Sequence, residues 1–470
     1  MIGMNRRSFH RGIAHVTTAT SFGFALVQLD VTIVNVALPR MASDLHTGVA
    51  GLQWVVDAYA LTFAVLLLSM GYLGDRLGAR KVYLGGIALF AFASMLCGCA
   101  THAAMLIVGR ALQGLGAAAM MPCSLALLSH ATAHEHSLRA RAIGWWTAAG
   151  SITIAAGPIV GGLLMSVANW RSIFFVNVPV CLLGAWLTLR VPETEPKATH
   201  KHFDLPGQLL AILALTGLTT AVIEAHPLGW THPLVLACVS AVLVAAPLFV
   251  LVESRSPAPM LPLHFFKAPG FSTAVMYGIV MNFTYYGIVF LLSLYLQRVH
   301  GYSALRTGLA YLPLTATFFG VNIFSGWLVG KAGARLPMVL GALIDAVGFG
   351  LFLLLAATSP YLLMLPAFAL LPAGMGLGVP AMTTTVLSAV AKEASGTASG
   401  VLNSARQAAG AMGVALFGSL AGDSNDLVVR GLHLSSLISV MLLLMVAVLA
   451  FRSIKAVVIR KHDNVDAVEY

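Results

Sequence analysis

The chain has 470 residues, 59% of them hydrophobic and only 9% charged, with a formal net charge of +10 at pH 7. A soluble domain carries about 25% charged residues, so the composition describes a polytopic membrane protein and leaves no room for a soluble catalytic domain. The positive residues are spread one loop at a time and form no single patch, which argues against nucleic acid as the partner.

Apolar stretches of about 17–25 residues mark candidate membrane spans. Fourteen are found, near residues 13–38, 51–71, 82–101, 103–128, 142–167, 172–190, 205–224, 233–252, 271–294, 307–329, 336–357, 361–384, 397–421 and 432–451. With the N-terminus inside, the cytoplasmic segments hold 20 Lys and Arg residues and the opposite segments hold five, while Arg110 and Arg406 lie within spans. The excess of cations on one side orients the chain, and an even number of spans then places both termini in the cytoplasm.

The first span contains Asp30, inside the apolar run Val16 to Pro39. A charge at the centre of a membrane helix costs about 2.5–3.5 kcal/mol on insertion scales, so such an acid marks a functional site. Arg6, Arg7 and Arg11 precede this span as in a signal peptide, but the run is too long and ends in Leu-Pro-Arg, which reads as a retained helix. The second span carries Asp57, and the loop after it holds Gly71, Gly74, Asp75, Arg76, Gly78 and Arg80. These glycines permit tight turns and close helix approach, and Asp75 can cap a helix or pair with a neighbouring Arg. The loop reads as a latch between helices or as a solvated turn.

Arg110, about seven residues into the fourth span, cannot lose its proton in place and needs an anionic or carbonyl partner, unless it snorkels to the interface. In the fifth span Gly157, Pro158, Gly161 and Gly162 free backbone groups and invite a bend. The polar break Pro192 to Pro206 and the proline-rich break Glu253 to Gly270 enclose two spans, giving six, two and six. The expected organisation is a six-helix half at 1–190, a linker with two inserted helices at 191–252, and a second six-helix half with its tail at 253–470. Glu224, at the edge of the seventh span, reads as interfacial. Phe283, Tyr285, Tyr286 and Phe290 of the ninth either line a pocket or pack against lipid. Asp345, about nine residues into the eleventh span, is a further candidate for proton or substrate binding.

The segment 71–80 aligns without gaps to 326–335, each following the second helix of its half. Such duplication points to parallel halves with a central site between them. Asp30 lies about 13 Å below Pro39, and Asp57 and Arg110 about 10 Å below the starts of their helices, at 1.5 Å per residue. A polar cluster of Asp30, Asp57 and Arg110 lining an outer cavity is therefore expected, poised by burial and by its cation to load and unload a proton. The five cysteines fall in spans without disulfide or zinc spacing, and His134-Glu135-His136 lacks the spacing that sets two ligands on one helical face, so neither a metal nor a cofactor is expected.

Taken in order, these motifs resemble the major facilitator superfamily, specifically its fourteen-helix drug:proton antiporters. The likeness is carried by Leu29-Asp30-Val31-Thr32-Ile33-Val34-Asn35-Val36-Ala37-Leu38-Pro39, by Gly71, Gly74-Asp75-Arg76, Gly78 and Arg80-Lys81, by Arg110 and Gln113-Gly114, and by Gly157-Pro158 and Gly161-Gly162. Tyr295-Leu296-Gln297, Gly301-Tyr302-Ser303, and Gly400, Asn403, Arg406-Gln407 and Gly410 extend it through the second half. The resemblance implies an all-α major-facilitator-type fold, two six-helix bundles plus two inserted helices, in the cytoplasmic membrane. It implies a proton-coupled exporter of amphipathic or cationic compounds with no enzymatic activity, Arg110 taking part in proton transfer and the Gly157–Gly162 motif forming a hinge between the halves. Its partners are the small-molecule substrate, protons and the lipid bilayer, and it names no accessory efflux partner. Transport of one defined metabolite, or a non-transporting receptor of the same fold, are the alternatives.

Overall fold

Two glycines 255 residues apart end the second helix of each half: Gly78 has φ +95° and Gly333 has φ +73°, values that residues with a Cβ rarely adopt. They stand at matching positions of the 71–80 and 326–335 segments, so the sequence echo is also an echo of backbone conformation. The structure, a computed structural model, describes residues 6–132, 136–193, 203–257, 259–391, 394–422 and 424–454. His134, Glu135, Lys197, Lys201, Lys392 and the basic residues from Lys455 onward lie outside the described residues.

No strand occurs among the described residues. The N-terminal half comprises α1 (Arg6–Asp44), α2 (Val49–Leu77), α3 (Ala79–Gly98), α4 (Ala103–Ala131), α5 (His136–Val167), α6 (Ser172–Phe175) and α7 (Asn177–Leu189). An inserted hairpin, α8 (Leu205–Leu228) and α9 (Pro233–Arg255), leads to α10 (Pro269–Leu294), α11 (Ala304–Ala310), α12 (Leu312–Ala332), α13 (Arg335–Phe352), α14 (Tyr361–Ser388), α15 (Ser395–Ala421) and α16 (Asn425–Ser453). Short polar side chains start several helices: Asp204 accepts from the Gly207 amide, Ser303 from Arg306 and Ser424 from Leu427.

Among the described residues twelve helices, with α6–α7 and α11–α12 each read as one, are long and apolar enough to cross a membrane, and α5, bent by 41° between its Arg141–Ile154 and Ala156–Val167 parts, makes a thirteenth. The expected fourteenth, α15, is a 27-residue helix but is not among them. Its run Asn403-Ser404-Ala405-Arg406-Gln407 dilutes its apolar character.

The halves repeat one packing scheme. The main neighbours are α1 with α5, α2 with α4 and α3 with α4, and correspondingly α10 with α15, α12 with α14 and α13 with α14. Hydrophobicity gives little net drive for helices to associate in lipid, so close packing and interhelical hydrogen bonds carry the assembly. Tyr83 donates to the Ala19 carbonyl at 3.0 Å and Ser325 to the Leu377 carbonyl at 2.6 Å. The hairpin leans on α2 and α15 through α8: Gln208 donates to the Val65 carbonyl at 2.8 Å and also meets Ser69, and Trp54 donates to Glu224 at 2.8 Å. Glu224 is thus a tether between α8 and α2.

The two halves close on each other at the end away from the termini. Ser293 donates to the Asn35 carbonyl, Gln297 to that of Val36 at 3.0 Å, and Gln53 to those of Ala415 and Val414. Between α5 and α11 the backbones touch: a Cβ on Gly162 would stand 2.8 Å from Leu305 Cα and 2.9 Å from the Ala304 carbonyl oxygen, and one on Gly308 would strike the Pro158 carbonyl. Backbone atoms cannot swing aside as a side-chain tip can, so Gly162→Val should oppose this closure by about 1–3 kcal/mol. A cysteine placed at Asn35 should then react with a water-borne thiol reagent from the far side about tenfold or more faster than in the parent. Equal rates would refute the contact as a gate.

Candidate functional site

Arg110 is 1% exposed and lies inside the N-terminal bundle, between α1, α2, α3 and α7. One terminal nitrogen pairs with Asp30 Oδ2 and donates to Gln113 Oε1 at 2.8 Å, and Nε donates to the Val55 carbonyl at 3.0 Å. The other Asp30 oxygen accepts from Asn177 at 3.0 Å and from Gln113 at 3.3 Å, and Ser94 accepts from Gln113 at 2.8 Å. The Tyr59 ring lies over the guanidinium, 4.4 Å from its centroid. Both charges are therefore enclosed and hydrogen-bonded, as a buried ion pair requires. Ser94 and Asn177 were not singled out in the sequence; a polar residue among apolar neighbours, as in Phe175-Val176-Asn177-Val178-Pro179, is the signal that could have found Asn177.

Asp57 does not join this group. It is fully buried, and neither carboxyl oxygen has a hydrogen-bond partner among the described residues. On α2, Gln53 bonds α15 carbonyls and Leu68 touches Gly400 of α15, and Asp57 falls on the same stripe, four residues after one and eleven before the other. Tyr59 and Thr62 instead face α4, where a Cβ on Gly114 would meet them. Asp57 therefore looks across the seam toward the other half. The expected cluster of three lining an outer cavity is corrected in two ways: Asp57 is on another face of its helix, and the halves are closed at that end.

Asp345 is 4% exposed and packs on α14 at Gly374, near the Tyr277 hydroxyl, which lies against Gly341 and Gly378. Its Oδ1 and that hydroxyl are without partners among the described residues. Asp345 belongs to the C-terminal half and is not brought to the Asp30–Arg110 pair. Arg406 on α15 lays its stem over Gly278 and donates from Nε to Asn282 at 3.0 Å.

The loop motif also resolves. Gly74 sits against Cys123 of α4, Gly71 faces Pro122, and Arg76 is exposed. Arg80 donates to the Thr188 and Leu189 carbonyls at the end of α7 and meets Glu193 at 3.4 Å, neutralising a helix C-terminus within its own half. Gly157 and Gly161 lie against Thr32 and Ile33 of α1, while Gly162 and Pro158 touch the opposite half.

Two spaces lie along one face of α1. Ala14, Thr18, Ser21 and Ala25, with Leu138, Arg141, Trp145 and Ala149 of α5, line a cavity of about 570 Å³ toward the terminal end. Thr32 and Asn35, further along the same stripe, line an enclosed space of about 20 Å³ with Pro158, Tyr285, Tyr286 and Tyr311. Of the four aromatics expected on the ninth span, Tyr285 and Tyr286 reach this space. Phe283 instead packs edge-on to Phe417, and Phe290 is buried. Beyond the closed end, His300 packs edge-on against Tyr295 and Tyr302, and burial with the nearby Arg306 lowers its pKa below the usual imidazole value. No cluster of three metal-ligating side chains exists among the described residues.

The profile of the Major Facilitator Superfamily matches residues 20–414. The chain belongs to this superfamily. It is 40% identical to the multidrug resistance protein Stp of Mycobacterium tuberculosis over 86% of this chain and 74% of that one. It is 38% identical to the methylenomycin A resistance protein of Bacillus subtilis, over 86% of each. A crystal structure of the nucleoside transporter NupG superposes with TM-score 0.67 over 94% of this chain and 100% of the other, at 10% identity, a likeness of fold alone. Family and relatives are transporters, and the chain is a multi-pass membrane protein.

The ion pair yields a test. Asp30→Asn leaves a buried guanidinium without its anion and should destabilise the bundle by about 3–5 kcal/mol, whereas Asp30→Asn combined with Arg110→Met should recover most of that loss. Thermal unfolding in detergent checks this, and a double variant no more stable than the single one would contradict the pairing.

Proposed function

We propose that the chain is a proton-coupled exporter of amphipathic small compounds in the cytoplasmic membrane, with both termini in the cytoplasm and fourteen membrane-crossing helices. Relatives bearing names of drug and antibiotic resistance support the exporter reading. In that orientation the structure is the inward-facing state: the outer contacts are made, and the larger cavity opens to the cytoplasm. Residues 1–190 and 253–470 rock about the central space, with Gly162 and Gly308 forming the outer closure.

Asp57 carries the coupling assignment. A carboxylate anion enclosed without a donor or a cation is too costly to hold, so the neutral acid is the form this conformation accepts. Opening the outer side separates α2 from α15 at the Gln53 contact and brings Asp57 to water, where it exchanges its proton. Asp30, held by Arg110, Gln113 and Asn177, fixes the shape of the half that moves.

Inverted vesicles under an imposed pH gradient test this reading. Asp57→Asn, a mimic of the neutral acid, should fold normally and keep downhill substrate exchange, but lose gradient-driven accumulation by about tenfold or more. Gradient-driven accumulation at the parent rate would overturn the assignment.

A further inference from the structure

The membrane acids suggest a cationic cargo, yet none of them reaches the path between the halves. Asp30 lies about 200° around α1 from Thr32, at 100° per residue, and so points into its own bundle. Asp57 is sealed in the α2–α15 seam, and Asp345 lies against Gly374 of α14. The linings of both spaces contain no Asp or Glu.

One cation, Arg141, lines the larger cavity and is exposed, and a second, Arg406, lines neither space but bonds α10 one turn from Tyr286, which lines the smaller one. Arg406 is partly exposed, and its single hydrogen bond, from Nε, goes to Asn282, one turn before Tyr286 on α10. Its two terminal nitrogens have no partner among the described residues, and no carboxylate pairs with it there. This is the reverse of Arg110, whose guanidinium is saturated by Asp30, Gln113 and the Val55 carbonyl. The hydroxyls of Tyr285 and Tyr286, which line the central space, likewise form no hydrogen bond among the described residues. A guanidinium with its fork unoccupied, beside phenol donors and aromatic faces, matches a planar carboxylate on an aromatic or amphipathic body.

We infer that the central site takes anionic amphipathic compounds, with Arg406 binding their carboxylate, Tyr285 and Tyr286 contacting the adjoining ring or chain, and Arg141 drawing anions into the cavity mouth. The inference rests on the exporter reading for its direction of transport, but its charge preference can be measured without transport.

The test uses the full chain in lipid nanodiscs and three fluorescent coumarins that differ in one group: a carboxylate, its neutral amide and a quaternary ammonium analogue. Fluorescence anisotropy should show the carboxylate bound about tenfold or more tighter than the ammonium probe. Arg406→Gln should bring carboxylate affinity down to that of the amide while leaving the amide unchanged, which also shows that the variant is folded, and Arg406→Lys should restore part of the difference. Tighter binding of the ammonium probe by the parent, or an unchanged carboxylate affinity in Arg406→Gln, overturns the inference. Binding of the carboxylate without its gradient-driven movement in inverted vesicles supports the site and contradicts only the exporter reading.

Discussion

A charge enclosed in a membrane bundle is costly unless it is paired or neutral, and this constraint shapes the N-terminal half around Arg110. Arg110 cannot be neutral, so four elements converge on it and on Asp30: α4 supplies Gln113, α3 Ser94, α7 Asn177 and α2 a backbone carbonyl. This network ties the N-terminal half into one body. Asp57 has no such company among the described residues, and the proton proposed for it rests on that difference. Two aspartates on adjacent helices thus have opposite surroundings, one paired and hydrogen-bonded, the other without a partner among the described residues.

Alternation between states requires that the contacts joining the halves be individually breakable. Those at the closed end are backbone approaches at Gly162 and Gly308 and a few hydrogen bonds to carbonyls of the other half, with no ion pair across them among the described residues. Contacts of this kind hold a shape without the desolvation cost that remaking a buried ion pair would impose on each cycle. The inserted hairpin leaves this arrangement free, since α8 rests on the outside of the α2–α15 seam and α9 is largely unburied.

Much of the fold was legible because its signals are long and periodic. Apolar length gave all but one of the spans, and the match of the 71–80 and 326–335 segments gave a duplication that the backbone repeats at Gly78 and Gly333. Depth along a helix was readable for two of the three residues expected at one level: Asp30 and Arg110 do meet. What the chain could not supply was rotation about each helix axis. Asp57 sits two residues from Val55 and from Tyr59, both of which face Arg110, but two residues is about 200° of rotation and places it on the opposite seam. The same uncertainty concealed that Tyr285 and Tyr286, but not Phe283, reach the central space. The partners Ser94 and Asn177 were missed because small polar residues are common in spans and only three-dimensional convergence distinguishes these.

Proton coupling of the kind proposed requires Asp57 to hold a proton when the outer side is closed. Infrared difference spectroscopy of the full chain in lipid at neutral pH, parent minus Asp57→Asn, reads this directly. A carbonyl stretch of a protonated carboxyl in a dry site, present in the parent and missing in the variant, is the predicted result. A difference confined to the symmetric and antisymmetric bands of an ionised carboxylate would contradict it.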